Sequence, residues 1–118
     1  MTIYALSTGP GVSGVAIIRI SGPEASNVIK SLTGKPIPKP RMATLRKINN
    51  INTSELIDEG IILWFPGPES YTGEDMVEIH IHGGKAVILA VQKEISKIKN
   101  CNLLNLESLQ NLLSRTVK

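Results

Sequence analysis

The sequence predicts an α+β fold, a mixed β-sheet of about five strands with two main helices. Several strand-like segments follow one another directly, as in hairpins, whereas others are separated by a helical segment, as in crossovers. This mixture of connections is typical of a sheet whose helices lie on one face. A chain of 118 residues suffices for one such domain with a modest core.

The first half of the chain predicts two strands and a helix. Strands are expected over residues 3–8 and 15–20, and the second is an almost continuous apolar run, as in a central strand. Ser21 and Glu24 form a potential capping box at the start of the helix, and Gly34 is expected to end it. The apolar stripe of this helix comprises Ala25, Val28, Ile29 and Leu32.

The second half predicts three more strands and a second helix. Strands are expected over residues 41–48, 56–65 and 76–82, and the helix over residues 84–99. The segment Pro66-Gly67-Pro68 ends the middle strand, because proline cannot donate to a sheet ladder. The apolar side of the second helix comprises Val87, Ile88, Val91, Ile95 and Ile98.

Composition excludes several classes of protein. Cys101 is the only cysteine, so no internal disulfide can form, and a reduced, cytoplasmic setting is predicted. No apolar run approaches the ~18 residues of a membrane span. The glycine-rich segment 9–14 lacks the Lys-Ser/Thr ending of a nucleotide P-loop and precedes a strand, so no GTP site is expected.

The net charge of +3 hides a separation of charge along the chain. Residues 25–54 contain no acidic residue, whereas residues 48–84 contain no Lys or Arg. A basic patch could attract RNA phosphates, although a solvated loop is the more ordinary interpretation and no aromatic residue is interleaved for base stacking. The basic residues are Lys30, Lys35, Lys39, Arg41, Arg46 and Lys47.

The most informative segment is 70–84, with the sequence S-Y-T-G-E-D-M-V-E-I-H-I-H-G-G. Strand alternation places one carboxylate, Glu78, and two imidazoles, His80 and His82, on the face opposite the apolar residues. A purely structural strand has little use for this set, which therefore marks a candidate ligand site. A metal site is not predicted, because such sites normally draw on more than one segment and the chain has no third histidine.

This segment resembles the N-terminal domain of the tRNA-modification GTPases called MnmE or TrmE, in which S-Y-T-G-E-D-x-V-E is followed by H-G-G. The segment 11–23, G-V-S-G-V-A-I-I-R-I-S-G-P, resembles the family's P-G-x-G-G-V-A-I-x-R-x-S-G-P. The chain departs from that pattern at Gly9 and at Val12-Ser13. The likeness covers about residues 1–100, and its shorter matches lie at 32–35, 38–41 and 64–68.

The resemblance implies a tetrahydrofolate site. Arg19 and Glu78 match the family's ligand-binding arginine and glutamate, so the implied ligand is 5-formyl-tetrahydrofolate or a related reduced folate. A carboxylate suits a pterin, whose ring N–H and neighbouring amino group can donate in parallel. Arg19 is expected at the C-terminal rim of the sheet, where ligands often bind. Weaker candidates for ligand contact are Tyr71, His82, Gly83 and Gly84.

Residues 101–118 are predicted to be a divergent tail. They can be back-translated so that a neighbouring reading frame gives F-A-E-P-G-E-F-T-K-L-A-F-S-N-G-K, close to a motif that follows here in the family. We interpret the chain as a truncated or frameshifted fragment without the family's GTPase and helical domains. The GTP, Mg and K sites and the motif's folate-binding lysine are then missing. The leucines between 103 and 113 could form one face of a short helix, and disorder or oligomer contact is equally open.

The resemblance favours a folate-binding and dimerisation domain that holds a one-carbon donor for modification of the wobble uridine of tRNA. In the full-length family the partners are an FAD-dependent enzyme and tRNA. The fragment alone is expected to form a homodimer without catalytic activity. Two alternatives stay open, a structural dimerisation module that binds no ligand and a basic module that contacts tRNA.

Overall fold

The computed structural model describes residues 1–7 and 14–104. It confirms the predicted α+β class, with six strands rather than about five. The predictions for the tail from residue 105 onward, and for the glycine-rich segment before Gly14, lie outside the described residues. The strands are β1 (Thr2–Leu6), β2 (Val15–Ser21), β3 (Thr44–Asn49), β4 (Leu56–Phe65), β5 (Met76–His82) and β6 (Cys101–Leu103), and the helices are α1 (Ala25–Thr33) and α2 (Lys85–Ser96).

The strands form one mixed sheet in the order β3-β4-β5-β2-β1-β6. Every neighbouring pair is antiparallel except β1 and β6, which run parallel. The strand β5 therefore lies inside the sheet, between β4 and β2, and both of its edges are hydrogen-bonded. The candidate ligand residues of β5 project from this interior strand.

The hydrophobic core lies between one face of the sheet and the two helices. Alternation along β2 and β5 turns Ile18, Ile20 and Ile79 toward the helices, where they are fully buried. Each such side chain contributes ~1.5–3 kcal/mol by leaving water. The helices close the core with Val28, Ile29, Leu32, Val91 and Ile95. Within the described ranges, no helix covers the opposite face of the sheet, and none is long and apolar enough to cross a membrane.

The predicted capping box at the start of α1 is wrong. Ser21 belongs to the end of β2, and its hydroxyl hydrogen-bonds to Thr72 Oγ1 over 2.7 Å. The backbone N–H of Glu24 donates instead to Thr2 Oγ1, 2.8 Å away. The predicted end is right, because Gly34 adopts the left-handed conformation with φ 66° and its N–H donates to Lys30 O.

The sixth strand was not predicted, because Cys101–Leu103 was assigned to the tail. These residues pair with β1 in parallel, from Thr2 opposite Cys101 to Tyr4 opposite Leu103. The N–H of Leu104 continues the ladder by donating to Tyr4 O over 2.8 Å. A strand of three residues is too short to show a recognisable alternation, so only its pairing reveals it.

Candidate functional site

The uncovered face of the sheet carries rows of side chains set by the strand register. Arg19 on β2 lies opposite Glu78 on β5, and Glu78 lies opposite Leu63 on β4. The next row places His80 between Ile17 and Ile61. Glu78 thus has the cation Arg19 on one side and the apolar Leu63 on the other, whereas His80 has an apolar neighbour on each side.

Arg19, Glu78 and His80 form a hydrogen-bonded triad at the centre of this face. Arg19 Nε donates to Glu78 Oε2 over 2.9 Å, and His80 Nε2 lies 3.0 Å from Glu78 Oε1. Glu78 retains 17% of its side-chain exposure and His80 25%, whereas Arg19 retains 48%. The carboxylate is therefore held from two directions, by the neighbouring strand and by its own strand.

The triad keeps Glu78 ionised. Burial by itself would raise the pKa of this carboxyl, but the hydrogen bonds from His80 and Arg19, together with their charges, outweigh burial and lower the pKa below its usual value. At neutral pH the group is consequently a carboxylate, which accepts hydrogen bonds and donates none.

A cavity of about 700 Å³ opens beside the Arg19–Glu78 pair. This volume lies within the ~300–1,000 Å³ of pockets that hold cofactors and drug-sized ligands. One wall is the sheet and the other is the loop of residues 66–75. The lining residues are Arg19, Phe65, Glu69, Ser70, Tyr71, Met76 and Glu78.

The loop of residues 66–75 is tied to the sheet by residues of the S-Y-T-G-E-D motif. Asp75 Oδ1 accepts from the N–H of Gly67 over 2.9 Å, and Asp75 O accepts from Gly22 N over 2.9 Å. Thr72 Oγ1 meets Ser21 Oγ, and the guanidinium of Arg41 donates to Glu69 O. Asp75 and Thr72 therefore hold the wall of the cavity, and they do not line it.

Tyr71 lies at the tip of this loop and lines the cavity while remaining 97% exposed. An exposed aromatic ring beside a cavity offers a flat surface for a planar ligand ring. The structure thus brings Arg19, Glu78 and Tyr71 together at one cavity.

The remaining predicted site residues lie farther along β5. His82 Nδ1 is 2.8 Å from Asp58 Oδ1, and the backbone N–H of His82 donates to Asp58 Oδ2 over 2.9 Å. Burial would raise the pKa of Asp58, but the hydrogen bonds from His82 and from the Glu59 backbone lower it overall. His82 borders a separate cavity of about 250 Å³ and does not line the Arg19–Glu78 cavity.

The two glycines after His82 serve backbone roles. The N–H of Gly83 donates to Gly14 O over 3.1 Å, and Gly84 caps the start of α2. Neither residue lines the cavity beside Arg19.

The predicted position of Arg19 is wrong. The sequence predicts a helix directly after Ile20, which would place Arg19 at the rim of the sheet. The strand β2 in fact continues through Ser21, and Arg19 lies inside the paired part of β2, opposite both Ala5 and Glu78. The guanidinium does not incur the full desolvation penalty of a buried charge, because its face of the sheet is open to solvent and Glu78 is its partner.

The charge separation along the sequence is partly offset in space, at Lys47 and Arg41. The basic strand β3 and the acidic strand β4 are hairpin neighbours, and Lys47 lies directly opposite Glu59. Arg41 lies 3.8 Å from the carboxylate of Glu69. These juxtapositions weaken the case for a continuous basic surface that contacts RNA.

The two imidazoles of β5 each take a different carboxylate partner. His80 meets Glu78, whereas His82 meets Asp58. Within residues 1–7 and 14–104, no three His, Cys, Asp or Glu side chains are grouped as metal ligands. The sequence placed Glu78 and His80 on one face, but it did not reveal that they bind each other.

The chain from residue 2 to residue 104 matches the family described as GTP-binding protein TrmE N-terminus. The chain belongs to this family. The resemblance seen in the sequence is therefore confirmed, and the sheet and helices described above are those of a TrmE N-terminal domain.

Several longer proteins are similar to this TrmE N-terminal domain. The tRNA modification GTPase MnmE of Pelagibacter ubique is 74% identical over 103 residues, which cover 87% of this chain and 23% of that protein. The MnmE of Maricaulis maris is 56% identical over 90 residues, covering 76% of this chain and 20% of that protein. The mitochondrial tRNA modification GTPase mss1 of Schizosaccharomyces pombe is 58% identical over 87 residues, covering 74% of this chain and 17% of that protein. The chain spans about a fifth of the length of these relatives.

Proposed function

We propose that this domain binds a reduced folate of the 5-formyl-tetrahydrofolate type and that it forms a homodimer. The observation that carries the proposal is the ordered Glu78 carboxylate, which borders a cavity of about 700 Å³ together with Arg19. The sequence resemblance independently implies the same two residues as ligand contacts.

Glu78 has the chemistry that a pterin requires. A pterin offers a ring N–H and a neighbouring amino group, which together donate two parallel hydrogen bonds. An ionised carboxylate accepts both, and such charge-assisted pairs are about twice as strong as neutral ones. The low pKa of Glu78 supplies the ionised form.

Arg19 and Tyr71 complement the other parts of a folate. Folates carry an anionic glutamate tail, and Arg19 is a cation whose side chain is 48% exposed beside the cavity. Tyr71 offers an aromatic surface at the opposite wall. Glu78 thus suits the N–H pair of a folate, Tyr71 suits its flat rings, and Arg19 suits its acid group.

The uncovered face of the sheet favours a second copy of the chain as partner. Its apolar side chains include Ile17 on β2 and Ile61 and Leu63 on β4, which are partly exposed on the two strands that flank β5. The same face carries both a cation and an anion in Arg19 and Glu78, so a two-fold related copy can place each charge opposite its complement. A dimer on this face also encloses a cavity that one chain leaves open.

We further propose that the domain holds a one-carbon donor for a longer protein that modifies the wobble uridine of tRNA. The names of the relatives, tRNA modification GTPases, support this role. The GTPase chemistry, an FAD-dependent partner and tRNA contacts belong to that larger assembly. A cytoplasmic location stays a prediction, since three of the relatives are named as mitochondrial.

Calorimetric titration with 5-formyl-tetrahydrofolate tests the folate proposal. Glu78→Ala should weaken binding more than about tenfold, because losing a charge-assisted pair costs about 1.5–3 kcal/mol. Glu59→Ala is the matched control, since Glu59 projects from β4 and does not line this cavity. Equal affinity of the parent and Glu78→Ala would remove Glu78 from the site, and no binding by the parent would refute the folate proposal.

A further inference from the structure

We propose that His80 is a positioning residue, which fixes the Glu78 carboxylate in the orientation that a ligand in the cavity meets. The inference rests on the proposed function only for the identity of that ligand. The starting observation is the 3.0 Å contact between His80 Nε2 and Glu78 Oε1. His80 itself does not line the cavity beside Arg19, so its effect on a ligand there acts through Glu78.

The direction of this hydrogen bond follows from the charge of Glu78. An ionised carboxylate has no proton to give, so His80 Nε2 must be the donor. The His80 ring therefore carries a proton on Nε2, whether or not Nδ1 is also protonated. His80 is 25% exposed and lies between Ile17 and Ile61 in its row.

The two donors that hold Glu78 act on different oxygens. Arg19 donates to Oε2 from the neighbouring strand, and His80 donates to Oε1 from the same strand. Rotation of the carboxylate about its bond to Cγ would break both contacts. Removing His80 leaves Arg19 as a single tether, about which the carboxylate can turn.

The arrangement leaves the acceptor positions that a paired donor needs. A carboxylate has about four lone-pair positions, two on each oxygen. Among the described residues, Arg19 and His80 fill one position on each oxygen. One position on each oxygen remains, so a ligand can donate one hydrogen bond to each oxygen.

His82 provides an internal comparison for this role. It is the next residue on the same face of β5, but its ring binds Asp58 and not Glu78. A change at His82 thus removes an imidazole from the same face of the strand without touching the carboxylate that His80 holds.

The test combines a ligand-free and a ligand-bound measurement. The titration midpoint of the Glu78 carboxyl is followed by ¹³C NMR in the parent, His80→Leu and His80→Gln, with His82→Leu as the control. The midpoint should rise in His80→Leu, return part of the way in His80→Gln, whose amide can donate, and stay unchanged in His82→Leu. Backbone NMR spectra of each variant verify that the sheet is retained.

Calorimetry with 5-formyl-tetrahydrofolate completes the test. Affinity should fall about fivefold in His80→Leu, the size expected for one lost hydrogen bond, and should recover within about twofold in His80→Gln. An unchanged Glu78 midpoint in His80→Leu overturns the inference, as does unchanged affinity despite a shifted midpoint. One outcome separates the two proposals: the parent binds no folate, while the Glu78 midpoint still rises in His80→Leu and partly returns in His80→Gln. In that case the folate proposal fails, but the positioning of Glu78 by His80 stands.

Discussion

Arg19 and Glu78 occupy directly opposed positions on β2 and β5, and Arg19 Nε donates to Glu78 Oε2 over 2.9 Å. Arg19 is 48% exposed, so water screens the pair on one side. Ion pairs of this kind contribute ~0–1 kcal/mol to folding. The pair therefore contributes little to the stability of the sheet, and the binding role proposed above is the alternative explanation.

A double-mutant cycle distinguishes these two explanations. The variants Arg19→Gln, Glu78→Gln and the double variant are compared by urea unfolding. We expect a coupling free energy below about 1 kcal/mol, because the guanidinium is half exposed. A coupling above about 2 kcal/mol would assign the pair to stability.

The uncovered face of the sheet is expected to mediate dimerisation. Ile61→Glu introduces a charge into the apolar row beside His80 and should convert the dimer to a 12.8 kDa monomer. Leu89→Glu is the matched control, because Leu89 is 55% exposed on α2, which covers the other face of the sheet. Light scattering at micromolar concentration measures the mass, and a parent that is purely monomeric would refute the dimer.

Gly60 is required by the close approach of β4 to β5. A Cβ atom at this position would lie 2.2 Å from the carbonyl oxygen of His80. Because the obstacle is backbone and cannot rotate away, Gly60→Ala should lower the free energy of unfolding by about 2–3 kcal/mol, the upper part of the range for overpacking. Gly14→Ala, whose Cβ would meet nothing within 4 Å, should change it by less than about 0.5 kcal/mol. Urea unfolding of both variants checks the difference, and equal stabilities would contradict it.

Acid should destabilise the domain through three carboxylates, those of Asp58, Glu78 and Glu94. Burial alone would raise the pKa of each, but hydrogen bonds and neighbouring cations lower it overall. Since the folded pKa values lie below the unfolded ones of about 4, these groups contribute stability above that pH. Their contribution is lost as the pH falls through the depressed folded values.

Glu94 provides the specific test of this pH dependence. Its carboxylate is 3% exposed, and it accepts from the N–H of Ile51 and from Lys97 Nζ, both at 2.9 Å. Glu94→Gln cannot titrate, so its stability should fall less steeply than that of the parent below about pH 4. Thermal unfolding between neutral pH and about pH 3 measures the stability of the parent and of Glu94→Gln as a function of pH. If both stabilities fall equally steeply below about pH 4, Glu94 does not contribute to the acid sensitivity.

Some parts of the fold follow from local sequence. The alternation along residues 76–82 predicted both the strand and the face that carries Glu78, because side chains on a strand change sides at every residue. The bounds of β4 and β5 agree with the predictions for the same reason. Gly34 was predicted to end α1, since only a residue tolerant of φ > 0 closes a helix in that way.

Other parts depend on contacts between distant segments. The capping box failed because the pairing of Ser21 opposite Met76 keeps Ser21 in β2, and this outweighs its helix-capping preference. The strand β6 exists because β1 offers it a free edge. Neither fact has a signal in the residues concerned, since each depends on a partner far along the chain.

The sequence by itself determined which residue types this domain offers to a ligand and which family it belongs to, because strand periodicity and motif order are properties of neighbouring residues. Only the tertiary structure decided that Arg19, Glu78 and His80 meet, and that His82 binds Asp58 instead. Arg19 and Glu78 are 59 residues apart in the chain, and the register that brings them together is set by packing of the apolar sheet face against both helices. A shift of one residue in that register would turn every side chain of the strand to the other face, so the site exists only where the core fixes the pairing.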